Sequence, residues 1–369
     1  MKIEVFEMER MQSTHEFLVD YDMSESGIRP VSINDLVSMG FDLQSVLDMP
    51  LGYSQSDGTP EVKELLTQIY PGAAFENIEV TNGTSEANYL IVLSQLVDGD
   101  DFAMQIPNYM QLWGVARSLG ANAKAFSLRS EDNWEIDWDM FEAAVNPQTR
   151  LVYISNPNNP SGSVLSDEAM QRIVERCEAM DAYLISDEVY IGAEHDGKRA
   201  KSFWGMSDKV IVTSGLSKAY GIPGLRVGWI IGPRDIVADC WSQHDYITIG
   251  PNKLSDRMTR VAIQADNREK LYQRTTDILN QNLPLMEAWA AEVPQLIYTP
   301  SQAGAFSFLK LAADTPSRDV AEACLNNQST LIVPGAQFGM EGYLRIWFGG
   351  SQDYITEGFR RIKKELARF

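Results

Sequence analysis

The sequence has few cysteines, few histidines and few basic residues, and each shortage excludes a class of protein. Only three of its 369 residues are histidines, never in H-x-x-x-H or H-x-H spacing, so we expect no metal site. The three cysteines are far apart and lack C-x-x-C spacing, which argues against a disulfide framework and predicts the cytoplasm: Cys177, Cys240 and Cys324. With 31 Lys and Arg against 51 Asp and Glu, the formal net charge is −20, and we expect neither nucleic acid nor a membrane as a partner.

Long apolar runs are absent as well. The opening residues mix acids with bases, and no run approaches the ~18 residues of a membrane-spanning helix, so we expect a protein that is neither exported nor inserted. Apolar types still make up 44% of the chain, which is typical of soluble globular proteins. At ~150 residues per domain, the length predicts two or three domains that bury their own cores.

From about residue 76 to 233 the sequence alternates short β-branched runs with stretches of helical period. The run IEVT at 78–81 predicts a strand, and a helix with a buried stripe is predicted after Ser166 by the spacing of Met170, Ile173, Val174 and Cys177. Strands that alternate with helices imply right-handed crossovers and a mostly parallel sheet with helices on both faces. We therefore predict an α/β domain.

The rest of the chain follows a different pattern. A charge-rich helical stretch begins after Pro251, and we expect Pro284 to close it. We expect residues 1–45 to form an N-terminal arm and part of the small domain, 46–250 the large α/β domain, 251–285 a long interdomain helix, and 286–369 a small α+β domain.

Polar residues follow the predicted strands, at the sheet edge where ligands of open α/β sheets bind. In TNGTSEAN (81–88), the backbone N–H groups of Gly83, Thr84 and Ser85 would lie at a helix N-terminus, which favours an anion such as phosphate. The alternative is that Thr84 or Ser85 only caps the helix.

Two further strand ends carry amide and carboxylate groups. The segment SNPNNPSG (155–162) is either proline-fixed loop punctuation or a site that uses Asn156, Asn158 and Asn159. In AYLISDEVY, Asp187 follows an apolar run, and a carboxylate there is costly unless it pairs with a cation or a protonated nitrogen. Tyr190 can point its hydroxyl into the same crevice.

The most informative segment is SGLSKAYGIPGLRVGW (214–229). Lys218 follows the strand KVIVT among glycines and is poorly placed to be a solvated surface lysine. We expect burial and neighbouring cations to lower its pKa and make the amine a nucleophile that forms a Schiff base with a carbonyl. Arg226 suits bidentate recognition of phosphate or carboxylate.

These motifs, in this order, resemble the fold-type I enzymes that depend on pyridoxal 5′-phosphate (PLP), specifically the class I/II aminotransferases. The resemblance runs from about residue 20 to the end. It implies a large domain with a mostly parallel seven-stranded sheet and a smaller α+β domain. It also implies that Lys218 forms the Schiff base with PLP, that Asp187 pairs with the pyridine nitrogen, and that Tyr190 and Asn159 contact the phenolic oxygen.

The resemblance assigns the remaining site residues too. Tyr109 in IPNYMQLW would stack on the ring, and Arg345 in YLRIWFG would bind the substrate α-carboxylate beside Asn159. The phosphate would be held by Gly83, Thr84, Ser85 and Arg226, together with Tyr53 lent by the other subunit of a homodimer, and Ser217 would also contact the cofactor. Lys218 is then within reach to act as a general base, and Arg345 on the small domain would draw the two domains together over the substrate.

The sequence departs from the family pattern in two places. Many relatives have a serine three residues before the lysine, where this chain has Gly215. The segment DMSESGIRP (22–30) resembles a subgroup that includes capreomycidine-synthase-like cyclases, and by that resemblance Gly27 and Ile28 close over the substrate. The arm is rich in carboxylates that form either a solvated face or a site for a guanidinium or an amine: Glu7, Glu9, Asp20, Asp22 and Glu25.

Three functions compete. We expect a PLP-dependent aminotransferase that acts on an α-amino acid through a Lys218 Schiff base, as a homodimer with shared sites. The alternative is PLP-dependent elimination or cyclisation of an arginine-like or hydroxyarginine-like amino acid. A non-catalytic module of the same ancestry is disfavoured because Lys218, Asp187, Tyr190 and Arg345 are all present.

Overall fold

A computed structural model of the chain describes residues 2–369. Its strands are β1 Tyr21–Asp22, β2 Ile78–Thr81, β3 Asp101–Ile106, β4 Asn122–Arg129, β5 Glu135–Ile136, β6 Thr149–Ser155, β7 Tyr183–Asp187, β8 Val210–Gly215, β9 Gly228–Ile231, β10 Leu296–Ile297, β11 Phe306–Leu311, β12 Thr330–Leu331, β13 Val333–Pro334 and β14 Tyr343–Trp347.

The helices lie between these strands and at both ends of the described chain. They are α1 Glu7–His15, α2 Ile33–Ser38, α3 Gln44–Leu47, α4 Pro60–Ile69, α5 Thr84–Gln95, α6 Gln111–Ser118, α7 Trp138–Ala144, α8 Asp167–Ala179, α9 Arg234–His244, α10 Lys253–Ala262, α11 Ala265–Ala291, α12 Ser317–Gln328 and α13 Gln352–Leu366.

The large sheet has the order β2-β9-β8-β7-β6-β3-β4-β5. The pairs from β8 to β4 are parallel, and β9 runs antiparallel to both of its neighbours. No helix longer than a short 3-10 turn connects β8 to β9, so the chain returns directly beside β8 instead of crossing over. The predicted α/β fold with a mostly parallel sheet is confirmed, and a two-residue antiparallel strand, β5, extends the expected seven strands at one edge.

Alternate residues of the buried strands pack on opposite faces of the large sheet, as the two-residue period of a strand requires. On β6, Leu151 and Tyr153 pack with the apolar faces of α5, α6 and α9. Val152 and Ile154 belong to the core on the other side, which includes the buried stripe of α8. The α8 stripe and the Ser166 cap, whose hydroxyl accepts a hydrogen bond from the Ala169 N–H, confirm the sequence prediction.

A second, antiparallel sheet has the order β10-β11-β14-β13. Separately, β1 of the N-terminal arm pairs in parallel with β12, which joins the arm to this part of the chain. The domain boundaries stay predictions. Within residues 2–369, no helix is long and apolar enough to cross a membrane.

The helical stretch after Pro251 differs from the prediction. It consists of two helices, α10 and α11, and the expectation that Pro284 closes the second is wrong, because Pro284 lies inside α11. An internal proline costs roughly 3 kcal/mol. Beyond it, however, α11 buries Met286 and Trp289, and the Trp289 ring stacks on Phe359 with the centroids 4.9 Å apart. Each buried apolar side chain contributes roughly 1.5–3 kcal/mol, so packing outweighs the local preference.

Candidate active site

A cavity of about 320 Å³ lies where β6 and β7 end and α5 begins. Its wall includes Arg345 from β14, Lys218 from the loop after β8, and residues of the N-terminal arm. Ten of the predicted site residues line it: Thr84, Ser85, Tyr109, Asn159, Asp187, Tyr190, Ser217, Lys218, Arg226 and Arg345. Gly83, Gly27, Ile28 and Tyr53 do not.

Lys218 projects into this cavity and meets the N-terminal arm there. Its Nζ donates a hydrogen bond to Ser26 Oγ at 2.7 Å and lies 3.6 Å from Glu25 Oε1. The expectation of a lowered pKa is wrong. Burial does lower the pKa of Lys218, but Tyr190 and Glu25 outweigh it and raise the pKa above its ordinary value. These neighbours therefore favour the charged form of the amine.

Asp187 ends β7 and is buried without a cationic partner among the described residues. Its Oδ2 accepts hydrogen bonds from Asn88 Nδ2 at 2.9 Å and from the Tyr153 hydroxyl at 3.3 Å. Thr213 orients the Asn88 amide through a 2.8 Å hydrogen bond to its Oδ1. Burial raises the pKa of Asp187, and no ion pair to it forms within residues 2–369. A carboxylate in this setting is best stabilised by a cationic group of a ligand.

The start of α5 has the features of an anion site. Gly83, with φ +89°, is the N-cap residue and supplies no capping side chain, and Thr84 Oγ1 is buried without a hydrogen-bond partner in the described chain. Neither Thr84 nor Ser85 therefore acts as an ordinary helix cap. A Cβ on Gly83 would lie 2.6 Å from an Arg226 Nη atom, so glycine lets the guanidinium approach the helix end. Cation and helix dipole together favour an anion such as phosphate.

The structure explains the departure at Gly215. A Cβ on Gly215 would lie 2.6 Å from Thr84 Oγ1 and 2.7 Å from the Val227 carbonyl oxygen. Because one of these contacts is with a backbone atom, any larger residue at position 215 would require the chain to shift. Only glycine therefore fits between α5 and the start of β9. The flanking serines differ in position, since Ser217 lines the cavity whereas Ser214 donates a 3.3 Å hydrogen bond to the Glu188 carbonyl oxygen.

Arg345 and Tyr190 are buried polar residues in the wall of the cavity. Arg345 is 1% exposed, and its Nη1 donates to Asn159 Oδ1 at 2.9 Å while Nη2 donates to the Ser24 carbonyl oxygen. Arg345 Nε and the Tyr190 hydroxyl have no hydrogen-bond partner within residues 2–369. Burial lowers the pKa of Arg345 and raises that of Tyr190. Unpaired buried polar atoms are costly, so these two groups are suited to a polar ligand.

Of the three asparagines in SNPNNPSG, only Asn159 lines the cavity. Asn158 builds the turn, donating from Nδ2 to Gln105 Oε1 at 3.1 Å and accepting from the Ser161 hydroxyl at 2.7 Å. Asn156 Oδ1 accepts from the Leu165 N–H at 3.0 Å. The interpretation as loop punctuation therefore agrees with the positions of Asn156 and Asn158, whereas Asn159 lies at the cavity.

The segment DMSESGIRP reaches the cavity through residues other than those predicted. Glu25 and Ser26 line it, whereas Gly27 lies beside the Lys218 stem, 3.9 Å separating its Cβ position from Lys218 Cδ. Ile28 is 4% exposed and packs against Gly221 outside the cavity. A closing role for Gly27 and Ile28 stays a prediction.

Tyr53 lies away from the cavity, and its side chain is 90% exposed. The fold of a single chain leaves this aromatic ring in solvent. Its role at the phosphate site of a partner subunit stays a prediction.

Sequence reasoning missed several cavity residues. Asn88 had a signal, because it lies four residues after Thr84 on one helical face. Tyr153 gave no signal, because it lies in β6, whose sequence has the apolar pattern of a buried core strand. Ser26 gave none because it is 192 residues away from Lys218 in the sequence. Glu16 follows α1 and lines the cavity as well.

Comparison with known proteins gives a consistent result. The sequence model of the family described as aminotransferase class I and II matches residues 49–362. Capreomycidine synthase of Streptomyces vinaceus is 31% identical over 291 residues, which are 79% of this chain and 74% of that protein.

Solved structures with the same fold cover the whole chain. A PLP-dependent aminotransferase from Streptococcus suis superposes with a TM-score of 0.93 at 29% identity, covering 100% of this chain and 99% of that one. The PLP-dependent cyclase OrfR superposes with a TM-score of 0.90 at 25% identity, covering 100% and 98%.

Proposed function

The chain belongs to the aminotransferase class I and II family, and from that premise we propose that it is a PLP-dependent aminotransferase acting on an α-amino acid through a Schiff base at Lys218. Dependence on PLP follows from the family and from its structural neighbours. One observation carries the proposal: Lys218, Asp187 and Arg345 line a single cavity, and Asp187 is buried there without a cationic partner among the described residues.

The cavity residues fit PLP group by group. Asp187 would hold a protonated pyridine nitrogen, the cationic partner that this carboxylate lacks within residues 2–369. Arg226, Thr84 and the N–H groups that begin α5 would hold the phosphate. The Tyr190 hydroxyl would donate to the phenolic oxygen. When bound, PLP supplies an electron sink that makes the α-proton of an amino acid removable.

The chain's own residues would then bind the substrate and move its proton. The Arg345 guanidinium suits the planar α-carboxylate, and Nε is its free donor among the described residues. Once the substrate's amino group has taken its place on PLP, the freed Lys218 amine would act as general base at the α-carbon. Arg345 also touches Ser24 of the arm and Asn159 of the large domain, so substrate binding would tie these parts together and exclude water.

A second candidate uses the same residues for elimination or cyclisation of an arginine-like or hydroxyarginine-like amino acid. Its support is the contact of Ser26 and Glu25 with the Lys218 amine, which places a hydroxyl and a carboxylate at the reacting end of the cavity. Capreomycidine synthase and the cyclase OrfR, both similar to this chain, agree with it. Burial acts to raise the pKa of Glu25, but Lys218 and the N–H groups of Ser26 and Gly27 lower it to about 2, so Glu25 would contribute a negative charge beside the reacting groups.

We also propose a homodimer with shared sites. The support is Tyr53, whose exposed ring matches the tyrosine that family dimers lend to the partner's phosphate site. Light scattering of the PLP-bound protein measures the oligomeric state, and an active monomer would overturn this assignment.

The deciding experiment follows the amino nitrogen. The PLP-bound protein is incubated with amino acids labelled with nitrogen-15 at the α-amino group, plus an unlabelled keto acid, and the products are analysed by mass spectrometry. Label on the amino acid formed from the keto acid would establish amino transfer. Hydroxyarginine is among these amino acids, and a product of it that keeps the label and has lost its hydroxyl as water would establish the second candidate. The variant Lys218→Ala, checked for folding by circular dichroism, should show neither, and turnover by it would overturn both.

A further inference from the structure

An acidic residue lies beside the start of α5, where the phosphate of PLP would bind. Glu86 is in the first turn of this helix, and its Oε2 accepts hydrogen bonds from the Asn82 N–H at 2.5 Å and from Asn82 Nδ2 at 3.2 Å. The helix dipole favours an anion at this end, but two anions placed there repel each other. A phosphate can therefore share the helix end with Glu86 at low cost only if a cation offsets the charge of Glu86.

His244 is placed to supply that cation. It is the last residue of α9, where the helix dipole favours positive charge, and it is 0% exposed. Its ring lies between two carboxylates, since Nδ1 is 2.6 Å from Glu79 Oε1 and Nε2 is 3.2 Å from Glu86 Oε2. A buried cation between two anions connects β2, α5 and α9 at one point.

The hydrogen bonds around the ring are all made when both of its nitrogens carry a proton. The Thr248 hydroxyl donates its only proton to Glu86 Oε1 at 2.7 Å, so at 2.8 Å it accepts from the His244 Nε2–H. On the other side Nδ1–H donates to Glu79. Burial lowers the pKa of His244, but its hydrogen bonds to Glu79 and Glu86 outweigh burial and raise the pKa to about 9. The geometry and the pKa therefore agree on an imidazolium at neutral pH.

The turn that follows α9 is held against the start of α5 by the same network. Asn82 Nδ2 donates to Thr248 Oγ1 at 2.8 Å and to the Gly250 carbonyl oxygen at 3.1 Å. Between these two residues, Ile249 has φ +71°, which is unfavourable for a β-branched side chain, although the residue is 48% exposed. Strained backbone of this kind persists where surrounding contacts impose it, and it is typical of functional sites.

We propose that His244 is a positioning residue for the cofactor phosphate: it offsets the charge of Glu86 and holds the start of α5 in the arrangement that binds the anion. The inference rests on the proposed function for the presence of a phosphate there. The contacts support both parts, because Asn82, Glu86, Thr248 and His244 form one continuous set of hydrogen bonds. Glu86 fixes Asn82 directly after β2, and His244 in turn fixes Glu86.

The test compares two ligands that differ in the phosphate. They are pyridoxamine 5′-phosphate and pyridoxamine, and neither forms a Schiff base with Lys218. Dissociation constants for the PLP-free full chain are measured by equilibrium dialysis, and their ratio isolates the contribution of the phosphate. His244→Gln should lower this ratio about tenfold with pyridoxamine binding unchanged, because a charge a few ångströms away inside a protein changes the binding of an ion by a factor of this order. Loss of a purely structural residue would weaken both ligands in proportion and leave the ratio unchanged.

The pH dependence of the ratio gives a test that needs no substitution. His244 is charged below its pKa of about 9, so the ratio should be high near pH 8 and fall toward the value of His244→Gln as the pH approaches 10. A phosphate monoester is fully charged over this interval, because its second pKa is roughly 6. Burial raises the pKa of Glu79 to about 7, which is below the interval, and the other charged groups that face Glu79 are Lys63 and Asp57, which pair with each other. In His244→Gln the ratio should not change with pH.

Two further variants connect the effect to the charge of Glu86. Glu86→Gln removes the anion that His244 offsets, so the addition of His244→Gln to it should change the ratio little, and a full tenfold effect in this background would overturn the proposed role. The matched control is His195→Gln. His195 is also buried, but its ring nitrogens contact the carbonyl oxygens of Ser301 and Gly304, and it does not line the cavity. This control should leave the ratio unchanged.

The outcomes separate this inference from the proposed function. A ratio that falls above pH 9, and that His244→Gln lowers, supports the role of His244 even if no amino group is transferred, in which case only the proposed function fails. A ratio that stays constant from pH 8 to pH 10, or that a folded His244→Gln leaves intact, overturns the role even if amino transfer occurs. If circular dichroism shows that His244→Gln does not fold, the pH series decides. Equal binding of the two ligands by the unaltered protein overturns the phosphate site and the role of His244 with it.

Discussion

Replacement of Arg345 tests most directly how the substrate is oriented. Arg345 is 1% exposed, is held by Asn159 and the Ser24 carbonyl oxygen, and keeps Nε free of partners within residues 2–369. Two variants separate the charge of Arg345 from its geometry. Arg345→Met removes the positive charge, and Arg345→Lys keeps a positive charge but lacks the planar guanidinium that can bind a carboxylate through two hydrogen bonds.

The magnitude follows from the hydrogen bonds at stake. A hydrogen bond to a charged group contributes roughly 1.5–3 kcal/mol, so loss of a bidentate pair costs at least about 3 kcal/mol, or roughly 150-fold in kcat/KM for an amino acid. For Arg345→Lys we expect roughly tenfold. Arg345→Met also leaves Asn159 Oδ1 and the Ser24 carbonyl oxygen unpaired, which costs about 1–3 kcal/mol of unfolding free energy.

The assay uses a substrate that lacks the group Arg345 binds. Each variant is compared with the original protein on an amino acid and on the corresponding amine without its carboxylate, for example arginine and agmatine. The loss should be confined to the amino acid. If amine and amino acid lose activity in the same proportion, Arg345 only supports the fold, and the carboxylate assignment is refuted.

Two further predictions concern buried positions beside the site. Burial raises the pKa of Glu188 to about 8, so its neutral form is favoured in the fold and its contribution to stability falls as pH rises from 4.5 to 8. Glu188→Gln should therefore stabilise the protein by about 3 kcal/mol more at pH 8 than at pH 5 in urea unfolding, and parallel pH curves would contradict this. Gly215→Ser should lower the free energy of unfolding by about 1–3 kcal/mol, because the added side chain would collide with Thr84 and Val227. The control Gly224→Ser has open space around it and should change the thermal midpoint little. Equal shifts of the thermal midpoint in the two variants would refute the steric reasoning.

The strand and helix pattern of the large domain could be predicted because it depends on local periodicity. IEVT forms β2, and the stripe after Ser166 forms a buried helix face. Pro284 shows the limit of local reasoning, since distant packing of Trp289 on Phe359 outweighs a helix breaker. The Lys218 pKa shows the same limit, because it depends on Glu25 and Tyr190, which sequence spacing does not place beside it.

Strand and helix periods and the spacing around Lys218, Asp187 and Arg226 are local properties, so the fold class and the candidate residues at strand ends could be predicted from the sequence. Which residues share the cavity depends on how distant parts of the chain pack. The pairing of β1 with β12 attaches the arm to the rest of the fold, and Ser26 meets Lys218 across 192 residues. Contacts at that separation depend on how elements pack in three dimensions, so Glu9, Glu16 and Ser26 could be placed at the site only by the folded chain.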